Sequence, residues 1–313
     1  MRRFLSCSVF LFVGAAFAQG PVVLYTSLAP TESGPLGVAF EKKTGIKVEI
    51  WRAISEKVVQ RAVAESRAGR ATVDVVETNG PEMEMMAREN IFREIRSPHL
   101  ADIPASSIPK HRQWIPDRLN FFVVAYNTTK VRKEDLPSSY RGFADPKWRG
   151  RIGIEATDTE WMATLVKLWG DDGMQYFRTL SAMKPDMRKG HVLLAQLVAS
   201  GEVPVALSAY QSNAESLKRK GAPIDWLPMA PVVARTQGIA IAKNAAHPKE
   251  AAAFVDFVLS PEGQALFDSM GRTPVSTKVA TSIGRFDYTV VDPVTVLDEQ
   301  DKWEKIWQGL FLK

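Results

Sequence analysis

Short apolar runs alternate with stretches of helical periodicity along most of this chain. Val22–Tyr25, Ile46–Trp51 and Val73–Val76 each read as a strand. Between them Val38, Ala39 and Phe40 mark a helix stopping at Gly45. Val58, Val59, Ala62 and Val63 mark another, opened by Ser55 and stopping at Gly69. The turn Asn79-Gly80-Pro81-Glu82 leads into a third helix carrying Met83, Met86 and Ala87. This β-α-β-α-β-α order predicts a mainly parallel sheet with right-handed crossovers, an α/β fold. Prolines 98, 104, 109, 116 and 137 break the middle into short pieces around one apolar, aromatic strand, Phe121–Asn127. The alternation then resumes. A strand around Ile152–Ile154 precedes a helix with Trp161, Leu165 and Leu168 on one face. A helix over His191–Ser200 ends at Gly201, and a strand over Val203–Leu207 precedes a helix ending at Gly221. The last unit is a strand over Gly238–Ala242, a helix opened by Pro248, and a second helix capped by Ser260 and stopped by Gly271.

Residues 1–18 stand apart from this pattern. Arg2 and Arg3 precede an apolar stretch, Phe4–Phe17, that closes on Ala16-Phe17-Ala18. These are the marks of a secretory signal peptide cleaved near Ala18, too short for a membrane span. Cys7 lies inside it and is the only cysteine. The mature chain is therefore expected to lack disulfides, thiolate metal sites and cysteine nucleophiles. The 313 residues, 45% of them hydrophobic, suit one large or two medium globular domains. The net charge of +5 is weak, and Arg2 and Arg3 account for part of it. The densest basic run, Lys218-Arg219-Lys220, falls at a helix C-terminus, where cations are favoured. No nucleic-acid partner is expected.

Candidate chemistry gathers where strands end, because in open α/β sheets ligands bind beyond the strand carboxyl ends. Three such loops lie in the first half: Thr26-Ser27, Arg52 to Ser55, and Thr78-Asn79-Gly80. Each leads into a helix N-terminus, whose unpaired amides attract anions; Ser55 and Asn79 are also good helix caps. In the second half the loop Glu155–Trp161 opens a helix. Thr157 with Glu160 fits a capping box, and Trp161 is spaced like a core residue. As site residues, Glu155, Thr157, Asp158 and Trp161 would line a crevice whose carboxylates suit a cation. A ligand bearing both charges, or a metal bound with an anion, would satisfy both edges. Tyr210 follows a strand and offers a stacking face, a hydrogen bond or a hard oxygen for iron; a packed tyrosine with a bonded hydroxyl is the alternative. Arg235 and Gln237 lie on the late strand that leads back to the first half.

Enzymatic signatures are sparse. His99, His111, His191 and His247 show no H-x-x-x-H spacing, and neither a G-x-S-x-G elbow nor a phosphate loop occurs. Glu155 and Asp158 as a glycoside hydrolase pair form the enzymatic alternative, and an adhesion module without a cleft the third class. The reading taken is a binding protein, not an enzyme, with no cofactor. Any bound metal would sit on Tyr210 and Asp158.

Several strings carry a resemblance. They are the opening VVLYTSL, the run Trp148–Ile154 entered from Pro146, and above all HPKEAAAFVDFVLSPEGQ followed by Gly271 and Pro274-Val275. The chain resembles bacterial periplasmic solute-binding proteins of ABC importers, in the ferric-iron-type branch that also holds thiamine, polyamine and phosphonate binders. The resemblance spans nearly all of the mature chain. It implies the type 2 periplasmic binding protein fold: two α/β lobes joined by two hinge strands, here Phe121–Asn127 and the stretch from Pro231 to Gln237, closing on a ligand. It places the first lobe at 19–125 with 236–289, the second at 126–235, and a C-terminal helical tail at 290–313. It implies a periplasmic monomer that delivers a small charged organic solute, or an iron(III) or metal–anion complex, to an inner-membrane permease. Two positions depart from the iron binders. Their adjacent tyrosines are matched by Tyr210-Gln211, and their histidine after the first strand by Thr26-Ser27-Leu28. Both departures favour a small organic ligand.

Overall fold

The computed structural model describes residues 20–312; the leader at residues 1–18 lies outside them. The chain opens with β1 (Val22–Thr26), α1 (Pro30–Thr44), β2 (Val48–Arg52), α2 (Ser55–Arg67), β3 (Val75–Asn79) and α3 (Gly80–Arg88). β1 lies between β2 and β3, parallel to both, so Thr26, Arg52 and Asn79 end on one edge. α1 begins well before Val38, at Pro30, because proline at a first helical turn has no amide to leave unbonded. Its inward face is Leu36, Gly37 and Phe40, while Val38 is 68% exposed.

The long strand β4 (Ile115–Asn127) follows, and the second α/β wing is built from the chain beyond it. The wing contains β5 (Ile152–Glu155), α4 (Thr159–Trp169), α5 (Asp171–Ala182), β6 (Asp186–Arg188), α6 (His191–Ser200), β7 (Val205–Tyr210), α7 (Gln211–Arg219) and β8 (Ile224–Leu227). β5 lies between β6 and β7, parallel to both. The sequence reading passed over α5 and β6, because β6 has only three residues, two of them charged. On α4 the inward residues are Trp161, Met162, Leu165 and Val166; Leu168 points outward.

The strand β9 (Val232–Ile241) returns the chain. It pairs antiparallel with β3 over Val75–Asn79 and with β4 over Ile115–Phe122. From Phe122 to Asn127, β4 pairs instead with β7 and β8. The strand order β2-β1-β3-β9-β4-β7-β5-β6 therefore contains two parallel wings joined through two long antiparallel strands. Each wing has its own core, and this divides the molecule into two lobes. Phe40, Phe254, Phe257 and Phe267 lie in one core, and Trp148, Trp161, Phe177 and Trp307 in the other.

The remainder is α8 (Pro248–Leu259), α9 (Pro261–Ser269), β10 (Thr273–Pro274), β11 (Tyr288–Val290), α10 (Pro293–Asp298) and α11 (Gln300–Phe311). The Ser260 hydroxyl caps α9 by accepting the amide of Gly263 at 3.3 Å, and Gly271 adopts the left-handed conformation at φ 75°. β11 adds to β9 in parallel. α10 packs on α3 through the Arg88–Asp298 pair at 2.7 Å. α11 buries Trp303 and Trp307 in the second core, and Trp307 Nε1 donates to the carbonyl of Ala156 at 2.7 Å. Among the described residues no helix is long and apolar enough to cross a membrane.

One buried polar cluster ties the sheet together below the edge where β1, β2 and β3 end. Arg118 on β4 donates to Glu77 at 2.7 Å and to Asp117 at 3.2 Å. Glu77 in turn accepts the hydroxyl of Thr26, which accepts the amide of Leu28 at 2.9 Å. Two carboxylates share one guanidinium here, so burial and the nearby Glu77 push Asp117 up to about 7 against the pull of Arg118.

Candidate functional site

The second lobe's edge is built by three strand-to-helix junctions. Tyr210 closes β7 just before α7, and its ring stacks on His191 with centroids 3.4 Å apart and planes at 13°. His191 opens α6 after Gly190, whose φ of 108° favours glycine. His191 Nε2 lies 3.2 Å from Oδ1 of Asp158, the residue preceding α4. Glu155, at the end of β5, braces these loops. One oxygen accepts the amide of Gly190 at 2.7 Å; the other accepts the amide and hydroxyl of Thr157 at 2.6 and 2.7 Å. Glu155, Asp158 and His191 can each present a ligand atom within 4.8 Å of the others. Asp158 Oδ2 and His191 Nδ1 are buried without a hydrogen-bond partner, a condition that a bound cation or donor relieves.

The first lobe's edge is built from its three loops. Thr78 donates to the hydroxyl of Ser27 at 3.0 Å. Asn79 Nδ2 donates to the hydroxyl of Ser55 at 2.8 Å and to Glu82 at 3.2 Å. Gly80 lets α3 start hard against β9, since a β-carbon there would lie 2.4 Å from the hydroxyl of Thr236. Gln237 on β9 is buried in register with Asn79. Thr26 is fully buried and holds its loop from below through Glu77, and Arg52 is exposed at the end of β2.

Three capping expectations fail for one reason: each side chain bonds to a partner other than its own helix's free amides. α2 starts at Ser55 itself, and the Asn79 side chain caps nothing, because the two bond to each other. The Thr157–Glu160 capping box does not form. Thr157 turns back to Glu155, and Glu160 reaches Arg235. Trp161 presents no surface at this edge. It is fully buried between Tyr140 and Phe177, with ring centroids at 5.7 and 5.3 Å, as its helical spacing from Leu165 allowed.

Arg235 on β9 connects the two edges. It donates to the Tyr210 hydroxyl oxygen at 3.2 Å, and its Nε lies 3.1 Å from Glu160 at the start of α4. On the other side its Nη2 lies 3.5 Å from Glu82 at the start of α3. Burial pushes Glu160 up to about 7 against Arg235, and the carboxylates of Asp158 and Glu82 add to the rise. Burial also raises Asp158, which His191 opposes, and raises the Tyr210 phenol, which therefore stays neutral near pH 7. Sequence reasoning missed His191, Glu82 and Glu160 as site residues. The helix-start rule used for the other loops would have found His191 had β6 been recognised.

Phenol oxygen and carboxylate are hard donors and imidazole a borderline one, and together they suit a first-row transition-metal cation. Residues 36–286 match the family described as bacterial extracellular solute-binding protein. A Fe(3+)-binding periplasmic protein of Serratia marcescens is 28% identical over 206 residues, spanning 64% of this chain and 60% of that protein. The major ferric iron-binding protein of Neisseria meningitidis serogroup A is 25% identical over 303 residues, spanning 90% of this chain and 91% of that one. Iron-bound HitA from Pseudomonas aeruginosa superposes with a TM-score of 0.80 at 23% identity, over 93% of this chain and 99% of HitA. The fold, with its two lobes and two joining strands, is that of the solved structure, and the chain belongs to the bacterial extracellular solute-binding protein family.

Proposed function

We propose that this chain is the periplasmic solute-binding component of an ABC importer and that its cargo is ferric iron, alone or complexed with an anion. The observation that carries the cargo assignment is the cluster of Tyr210, His191 and Asp158 at the strand ends of the second wing, with a buried carboxylate oxygen lacking a partner. The names of the iron-binding relatives support it. Where the resemblance leads one to expect a second tyrosine, His191 and Asp158 supply donors in its place. Thiolates play no part, in keeping with a hard cation.

The lobes are taken as residues 19–125 with 236–289 and residues 126–235, with 290–313 as a helical tail. Ser27, Ser55, Asn79, Gly80 and Gln237 provide the facing wall, and Arg52 lies at its rim. Cargo that touches both walls favours the closed form by its differential affinity. Binding a metal through Tyr210 requires loss of the phenol proton, so capture releases protons and strengthens as pH rises. The closed monomer then docks on an inner-membrane permease. Catalysis is no part of this reading: both Glu155 oxygens are tied in a structural brace.

A second reading, a small anionic organic solute, is favoured by the guanidinium of Arg235 in the crevice and by the three helix N-termini of the first wall. Native mass spectrometry with metal analysis of the purified chain separates the two. The expected result is one iron per chain, with or without an anion's mass, and no chemical change in the cargo. An organic mass without iron supports the second reading, and turnover of a bound molecule refutes both.

A further inference from the structure

Arg235 makes the contacts that a cation between the lobes would make. Glu82 stands in the first turn of α3 in the first lobe, and Glu160 in the first turn of α4 in the second. One guanidinium, carried by the strand that joins the lobes, lies 3.5 Å from the former and 3.1 Å from the latter. Its third partner is the Tyr210 oxygen at 3.2 Å, the atom assigned above to the cargo. The Arg235 side chain is only 19% exposed, and its Nε is buried without a well-aligned hydrogen bond. The Tyr210 contact is a hydrogen bond to a neutral phenol and the Glu82 contact a long one, so the guanidinium can give up the phenol and keep both carboxylates.

We infer that Arg235 is an internal counter-ion: it holds the lobes together in the cargo-free protein, and it gives up the Tyr210 oxygen when a cation binds there. Without it, the first turns of α3 and α4 lose a cation that both Glu82 and Glu160 contact. The same side chain then acts against cargo, since a protein that closes on its own arginine offers fewer open molecules to the incoming ion. The strut rests on the ion pairs alone. The exchange at Tyr210 rests on the cation reading given above.

The test uses the mature chain, dialysed against a chelator, as wild type and as Arg235→Gln. Small-angle X-ray scattering of the cargo-free proteins reads the strut, and titration with ferric nitrilotriacetate reads the exchange. Arg235→Gln is expected to show a larger radius of gyration without metal, to contract when ferric nitrilotriacetate is added, and to bind it about tenfold more tightly than wild type. Arg235→Lys, which keeps the charge but cannot span both carboxylates, should resemble Arg235→Gln in scattering. Should Arg235→Gln fail to fold, the double variant Glu82→Gln with Glu160→Gln removes the same cross-lobe pairs and should expand likewise. Equal radii for wild type and the folded variants overturn the strut, and weaker or unchanged binding by Arg235→Gln overturns the exchange. Absence of ferric binding in both proteins sinks the iron assignment but leaves the comparison of cargo-free radii as a valid test of the strut.

Discussion

Tyr210→Phe is expected to bind ferric iron at least about 100-fold more weakly than wild type, with an unchanged fold. Loss of a residue that only supports a metal ligand costs about 10–100-fold in affinity, and loss of the ligand itself must exceed that. Phenylalanine keeps the ring stacked on His191 and packed near Phe122, so only the oxygen is removed. Arg235 loses one partner but keeps Glu160 and Glu82. The substitution therefore separates chemistry from packing. The iron complex of the wild type should show a visible phenolate-to-iron charge-transfer band, which the variant should lack. A variant that retains both band and affinity would remove Tyr210 from the site.

Arg118→Met should be the most destabilising of the single changes considered, at about 3–5 kcal/mol, because it leaves two buried carboxylates without their shared cation. Arg118, Glu77 and Asp117 are all buried, so water cannot replace the lost guanidinium. Urea denaturation measures the loss. Its pH dependence follows from Asp117, whose folded value of about 7 lies above the ordinary 3.8. Between those values the folded chain keeps a proton that the unfolded chain has released. The contribution of this group is thus complete below about 4 and is lost as pH rises through about 7. Asp117→Asn, uncharged throughout, should gain stability relative to wild type over that rise. Acid should lessen the defect of Arg118→Met, since protonation neutralises both stranded acids. A defect in Arg118→Met that does not lessen with acid, or a flat difference for Asp117→Asn, would show that the carboxylates are not the origin.

The sequence carried the architecture well because strand ends and glycine stops are local signals. Gly45, Gly69, Gly201, Gly221 and Gly271 all adopt the left-handed conformation where a helix was read to end. The edge that gathers Ser27, Ser55 and Asn79 followed from parallel order alone. Side-chain partners were less legible. Ser55, Asn79 and Thr157 have good capping chemistry, yet each finds its bond in a loop far off or turned back along the chain. Local rules cannot see a neighbour 24 residues away, as Asn79 is from Ser55. His191 was hidden behind a strand of three residues, and Glu160 behind a capping pattern. Arg235 was read as a position on a crossing strand, but its two carboxylates, 153 and 75 residues distant, appear only in the folded chain.

The proposed cargo site puts a ferric ion between the lobes on the Tyr210 oxygen. A crystal of the iron-loaded chain, measured on both sides of the iron absorption edge, tests it directly. The expected result is one anomalous peak within bonding distance of Tyr210 Oη and of Asp158 or His191, with Arg235 turned away from the phenol. A peak elsewhere, or iron-loaded crystals with Tyr210 still bonded to Arg235, would contradict it.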